Sequence, residues 1–247
     1  MERYQGKRAV ITGGTSGIGL ATAKLLADEG ARVLVTGHTK QTLNRAREEL
    51  GKNGIVAESD GASLAEINKL ADRAKSEFGT VDLLFVNAGI ARFAPFESVT
   101  EAVYDELFSL NAKGAYFTVQ KFAPLMSEGS AVVFTTSTAN VKGLPMISAY
   151  SASKAALRSM ARCLASELLP RGIRVNAVSP GPIETPILGK VMPKDAADEF
   201  AVQLRERNPM KRFGRPEEVA RAVAFLAFEA TYTTGAELAV DGGSSQL

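Results

Sequence analysis

A doubly wound α/β fold, one parallel sheet with helices on both faces, is what this sequence predicts, and three observations predict it. Seven short apolar runs alternate with longer stretches in which apolar residues recur at helical spacing. Several runs are apolar at nearly every position, as in Val81-Asp82-Leu83-Leu84-Phe85-Val86, which suits strands covered on both faces. The alternation of strand and helix implies right-handed crossovers and a ligand crevice at the carboxyl ends of the strands. The expected strands are 9–12, 32–36, 54–58, 81–86, 130–136, 174–178 and 236–240. With 247 residues, 45% of them hydrophobic, the chain can bury a substantial core, and 1–247 reads as one domain.

The first strand runs into Thr12-Gly13-Gly14-Thr15-Ser16-Gly17-Ile18-Gly19, after which Ile18, Ala21, Leu25 and Leu26 keep helical spacing. Glycines there let a phosphate approach the backbone, and the new helix offers unpaired N–H groups and the positive end of its dipole. An anionic cofactor fits such a turn; the plainer alternative is a turn that merely packs strand against helix. A P-loop is excluded, because Leu20 and Ala21 follow Gly19 where Lys and Ser or Thr are needed. The second strand ends in Gly37-His38-Thr39-Lys40. Dinucleotide folds place a carboxylate near this point to hold a ribose 2′-hydroxyl, yet none occurs from Ala31 to Arg47. Hydrogen-bond donors in its stead favour a 2′-phosphate and hence NADPH, with NADH possible. His38, the only histidine, is either a phosphate contact or a solvated loop residue, and several-imidazole metal sites are excluded.

Asp60-Gly61 follows the third strand and Asn87-Ala88-Gly89 the fourth, both where the crevice opens. Asp60 can accept from an adenine amino group and Ala88-Gly89 can admit a cofactor closely, or each is ordinary turn chemistry. Ser137 comes directly after the fifth strand. Tyr150 and Lys154 come later, four apart, in a helical pattern continued by Ala155, Leu157, Met160, Ala161 and Leu164. That spacing sets phenol and ammonium on one face, where the ammonium would lower the phenol pKa; it also arises by chance on helix surfaces. A serine beside them can hold a substrate oxygen. Cys163 reads as a buried structural thiol.

These residues resemble the short-chain dehydrogenase/reductase superfamily over nearly the whole chain. Thr12, Gly13, Gly17 and Gly19 match its Thr-Gly-x-x-x-Gly-x-Gly turn, Asn87-Ala88-Gly89 its Asn-Ala-Gly, and Asn111, Ser137, Tyr150 and Lys154 its catalytic set. The resemblance implies a Rossmann-like sheet and an NAD(P)-dependent carbonyl reductase or alcohol dehydrogenase. In it Tyr150 moves the proton, Ser137 orients the carbonyl, Lys154 binds the nicotinamide ribose and Asn111 anchors a relay water. It further implies cofactor contacts from Thr15, Ser16, Ile18, Gly37, His38 and Thr39, and from Pro180, Gly181, Ile183 and Thr185 around the carboxamide. Gly61 stands where the family usually has a branched apolar residue, so the adenine wall is expected to be thin. A substrate lid is expected at about 187–213, with Leu188, Met192, Phe200, Leu204, Met210 and Phe213 as apolar residues, and Phe93, Phe96, Leu144 and Ile147 as possible wall or core. A 3-oxoacyl-[acyl-carrier-protein] reductase and a catalytically silent nucleotide-binding protein are the alternatives.

The partner expected is a small carbonyl or alcohol. Net charge is +2 with charges scattered, which argues against a nucleic-acid surface, and no apolar run suggests a leader or membrane span, so a cytoplasmic protein is expected. The resemblance adds a homotetramer built on helices near 100–126 and 150–169.

Overall fold

The computed structural model describes residues 2–185 and 194–247. Strands β1 (Arg8–Ile11), β2 (Arg32–Gly37), β3 (Gly54–Glu58), β4 (Val81–Val86), β5 (Met126–Thr135), β6 (Arg174–Pro180) and β7 (Glu237–Val240) form one parallel sheet in the order β3-β2-β1-β4-β5-β6-β7. The order reverses between β1 and β4, so the loops leaving these two strands part and open a crevice there.

Alternating strand residues feed two cores. Ala9, Ile11, Leu83 and Phe85 point to the side covered by α1 (Gly17–Asp28), α2 (Lys40–Leu50) and α8 (Pro216–Phe228). Val10, Leu84, Val132 and Phe134 point to the side covered by α3 (Leu64–Phe78), α5 (Ala115–Phe122) and α6 (Ser148–Leu168). Both faces being dry is what made these strands legible as unbroken apolar runs. Local chemistry starts the helices: Ser63 accepts from the Glu66 amide to cap α3, and Thr100 accepts from Val103 to cap α4 (Glu101–Phe108). Helix α7 spans Lys194–Arg207.

Three features differ from expectation. Strand β5 begins at Met126, four residues earlier than its apolar run, through the exposed Ser127-Glu128-Gly129; the register against β4 shifts between Val81 and Leu83. Between α4 and α5 the chain forms a π-helical turn, Ser109–Gly114, which no periodicity announced. Cys163 is exposed, not buried: the inner stripe of α6 is Leu157, Ala161, Leu164, Ala165 and Leu168, and residue 163 falls off it. Among the described residues no helix is long and apolar enough to cross a membrane, and no group of His, Cys, Asp and Glu is set to hold a metal ion.

Candidate active site

A cleft of about 950 Å³ opens at the carboxyl ends of β1 to β6, within the range of small-ligand sites. Its floor is a polar lattice. The Thr12 hydroxyl accepts from the amides of Asn87 (3.0 Å) and Ala88 (3.1 Å), while Asn87 Nδ2 donates back to the carbonyls of Thr12 (3.1 Å) and Gly13 (3.2 Å). Thr135 Oγ1 donates to Asn87 Oδ1 (3.1 Å), joining the ends of β1, β4 and β5. Every contact here is between adjacent parallel strand ends, so the lattice is a direct consequence of sheet order.

The glycine turn lies on that floor. Gly13 has φ 63°, and a Cβ there would stand 2.9 Å from Ala88 Cα; at Gly19 it would stand 2.4 Å from the Gly13 carbonyl oxygen. Only glycine fits either place. Ser16 is the N-cap of α1, but its side chain makes no capping bond, which leaves the first-turn amides facing the cleft. Gly13, Thr15, Ser16, Gly17 and Ile18 all line the cleft, whereas Gly19 is the close-packing position beneath them.

The adenosine end expected at Gly37, His38 and Thr39 is also on the cleft wall, with His38 and Thr39 exposed. Thr42, which sequence reasoning missed, joins them: its hydroxyl lies 2.6 Å from that of Thr39 and 3.3 Å from that of Thr15. Thr42 sits in the first turn of α2, so only the packing of α2 against the glycine turn reveals it. Among the described residues, no carboxylate lines this corner. Asp60 and Gly61 line the next part of the wall, where Asp60 Oδ1 already accepts from the Ala62 amide at 2.9 Å. The wall beside Gly61 is not thin: Leu110, carried by the π-helical turn, lies 2.9 Å from where a Gly61 Cβ would be and itself lines the cleft.

Ser137, Tyr150 and Lys154 come together at the other end of the cleft with Asn87, Ala88 and Gly89. Ser137 is the N-cap of a short 3₁₀ turn, Thr138–Asn140, and its Oγ accepts from the Ala139 amide at 3.2 Å, which leaves its own proton to donate on the cleft side, where Tyr150 is its hydrogen-bond neighbour. Lys154 is buried and donates from Nζ to the Thr135 carbonyl at 2.8 Å, with Nζ 5.9 Å from the Tyr150 ring centroid. The expected acidification of the phenol is therefore not found. Burial pushes Tyr150 above its ordinary range, the neighbouring Ser137 hydroxyl pulls it partway back, and burial brings Lys154 down to about 8. The lysine's hydrogen bond goes to the backbone, not to the phenol.

Asn111 is brought near but not into the cleft lining. It is wholly buried in the π-helical turn, its Oδ1 accepting from the Ile90 amide (2.9 Å) and its Nδ2 donating to the Ile90 carbonyl (2.9 Å) and to Ser153 Oγ (3.0 Å). Its side chain thus ties the loop after Gly89 to α6. Pro180, Gly181, Ile183 and Thr185 line the cleft past β6; Ile183 bridges to Gly214, and Thr185 Cγ2 lies 3.2 Å from where a Gly17 Cβ would be. Of the lid candidates, Leu204 and Phe213 line the cleft, Phe200 packs edge-on to Phe93 (5.7 Å between centroids), and Met210 is exposed. Leu188 and Met192 lie outside the described residues. Phe96 and Leu144 are exposed and Ile147 is buried, and none of the three lines the cleft. At the mouth, Arg92 forms an ion pair with Glu106.

A glycine-floored cleft with serine, tyrosine and lysine at one end is the site of an α/β oxidoreductase, and the comparisons with known proteins agree. The family model described as enoyl-(acyl carrier protein) reductase matches residues 13–245, and the chain belongs to the short-chain dehydrogenase/reductase superfamily. It is similar to oxidoreductase asL5 of Sarocladium schorii, 39% identical over 100% of this chain and 99% of the relative. It is similar also to the 3-oxoacyl-[acyl-carrier-protein] reductase FabG of Thermotoga maritima, 37% identical over 98% of each. The crystal structure of levodione reductase superposes with a TM-score of 0.89 at 33% identity, covering 98% of this chain and 99% of the other.

Proposed function

We propose that this chain is an NADPH-dependent carbonyl reductase in which Tyr150 delivers the proton. The observation that carries the reading is the meeting of Ser137, Tyr150 and Lys154 in the same cleft as the glycine turn. The residues suit a dinucleotide: the glycine positions admit no Cβ, the α1 amides lack a side-chain cap, and the cleft runs past both to the catalytic end. Residues 13–19 would hold the pyrophosphate, Asp60, Gly61 and Leu110 the adenine, and Pro180, Gly181, Ile183 and Thr185 the carboxamide. His38, Thr39, Thr15 and Thr42 would receive the 2′-phosphate; the absence of a carboxylate from that corner supports NADPH over NADH.

When bound, the nicotinamide supplies a hydride to the carbonyl carbon. Ser137 donates a hydrogen bond to the carbonyl oxygen, and Tyr150 gives that oxygen its proton as negative charge develops. Burial holds the phenol above its ordinary range, so it enters the reaction in the protonated form that the acid's role requires. Lys154 binds the ribose hydroxyls from its place on Thr135, and Asn111 holds the loop after Gly89 in register with α6. Leu204 and Phe213 suit an apolar substrate, under a lid at about 187–213 of a single domain. The reading further carries a cytosolic homotetramer, for which the exposed Phe96, Tyr104 and Tyr116 flanking and on α4 and α5 supply apolar contact surface.

The test is to follow the absorbance of reduced cofactor against cyclic ketones, aldehydes and acyl thioesters, with NADPH and NADH in parallel. Turnover of ketones with NADPH is expected. Turnover confined to acyl thioesters would replace the substrate class, and nucleotide binding without turnover of any carbonyl would leave a silent binding protein. Light scattering of the purified chain checks the tetramer.

A further inference from the structure

One largely shielded carboxylate lies outside the cleft lining yet touches both elements that carry Ser137, Tyr150 and Lys154. Glu237 begins β7, at the sheet edge, and lies outside the cleft lining. Its Oε1 accepts from Asn140 Nδ2 (2.8 Å) and lies 2.5 Å from Thr136 Oγ1, whose single proton it shares with the Val178 carbonyl (2.9 Å); these are the last residue of the 3₁₀ turn that Ser137 caps and the residue before Ser137. Its Oε2 lies 3.5 Å from Arg158 Nε, two turns along α6 from Tyr150 and one from Lys154. Arg158 is anchored in turn by a 2.8 Å bond from Nη1 to the Gly235 carbonyl. Both side chains are shielded, Glu237 at 14% and Arg158 at 19% exposure, so the contacts are little screened by water. Arg158 is the cation facing this carboxylate among the described residues, with Arg162 a turn further on.

We propose that Glu237 is a positioning residue that fixes Ser137 relative to Tyr150 and Lys154, by clamping the Thr136–Asn140 segment at both ends and tying it to α6 through Arg158. This rests on the carbonyl-reductase reading, since it is through Ser137 that the clamp affects rate. The geometry favours it over plain packing: one oxygen grips both flanks of a single catalytic side chain and the other grips the helix bearing its two partners. A carboxylate serving only to satisfy Arg158 would not need Thr136 and Asn140 as donors.

The experiment compares Glu237→Leu and Glu237→Gln, each alone and on a Ser137→Ala background, by steady-state kinetics and by amide hydrogen exchange of residues 136–141. Leucine removes both grips and is expected to lower kcat roughly ten- to a hundredfold with the KM for NADPH unchanged. Glutamine keeps an acceptor for Thr136 and Asn140 and should restore activity to within about threefold of wild type. Once Ser137 is alanine, the leucine change should cost about twofold or less, because the group it positions is gone. Exchange in 136–141 should quicken in the leucine variant. An equal loss on both backgrounds, full activity of the leucine variant, or unchanged exchange overturns the proposal. If Glu237→Leu does not fold, Thr136→Val with Asn140→Ala removes the same donors while leaving Glu237 on Arg158, and the same outcomes decide. A wild-type chain that reduces no carbonyl would fail the underlying reading instead, and the exchange measurement alone would then judge the clamp.

Discussion

The floor of the cleft and its adenosine corner are built in opposite ways. On the floor, Thr12, Asn87, Thr135 and Lys154 are bonded across three strand ends, so that moving one group unpairs others in a buried place. At the corner, Thr15, Thr39 and Thr42 bond to one another through hydroxyls on the rim of two helices, with His38 exposed beside them. On the proposed reading, the floor therefore fixes the reacting geometry, while the corner can change its nucleotide preference without disturbing the fold. Substitutions at the two should separate cleanly in what they alter.

The largest effect should come from Tyr150→Phe, which removes the proton but not the packing. Turnover should fall roughly a hundred- to ten-thousandfold while cofactor binding, measured by fluorescence of the reduced nucleotide, persists. Retained turnover would remove Tyr150 from the chemistry. Next is Thr12→Val, which strips an acceptor from two amides of the floor. A stability loss of about 2 kcal/mol or more in urea unfolding is expected, and a loss no greater than at a surface site would break the contrast drawn here.

Lys154→Met sharpens the contrast from another side. Lysine at about 8 in the fold and near 10.5 when unfolded means that the unfolded chain binds the extra proton between those values. Stability supplied by this group thus rises as pH goes from about 8 to 10.5, and below 8 the buried ammonium is a cost. The methionine variant should lack that slope and be more stable than wild type at pH 7, by roughly 1–2 kcal/mol after losing the bond to Thr135, as thermal melts across pH would record. The smallest structural effect belongs to the corner. His38→Asp should shift the NADPH-to-NADH ratio of kcat/KM about tenfold or more toward NADH, with stability within about 0.5 kcal/mol. An unchanged ratio would show that residue 38 does not read the 2′-group.

The inner strands were legible because both their faces are dry, which writes them as apolar runs, although β7 at the edge has no buried residue; the glycine turn was legible because its spacing reflects close backbone approach. Ser137, Tyr150 and Lys154 were legible through their places after β5 and along α6. What stayed hidden depends on neighbours that are distant in sequence. Leu110 enters the cleft wall beside Gly61 only because the π-helical turn carries it there, and Thr42 joins the corner through the packing of α2. The direction of the Tyr150 shift was misjudged because spacing cannot tell whether an ammonium bonds a phenol or a carbonyl. Cys163 was misplaced because its neighbour Leu164 lies inside the stripe and it lies just outside.

The anchor of Ser137 comes from a residue 101 positions later than the threonine it grips, whereas the cleft lining is complete by Phe213. During synthesis, then, the described residues that line the cleft leave the ribosome before the one that meets Thr136 and Asn140. A product of early termination just past Phe213 would also lack α8, whose Val219, Val223 and Leu226 are buried in the core beside α1, so it would lose the fold along with the brace. Loss of the last strand would also unpair Ala177–Pro180 of β6 and free the Gly181 amide from Val240, so it would loosen the far end of the cleft as well as the turn at Ser137.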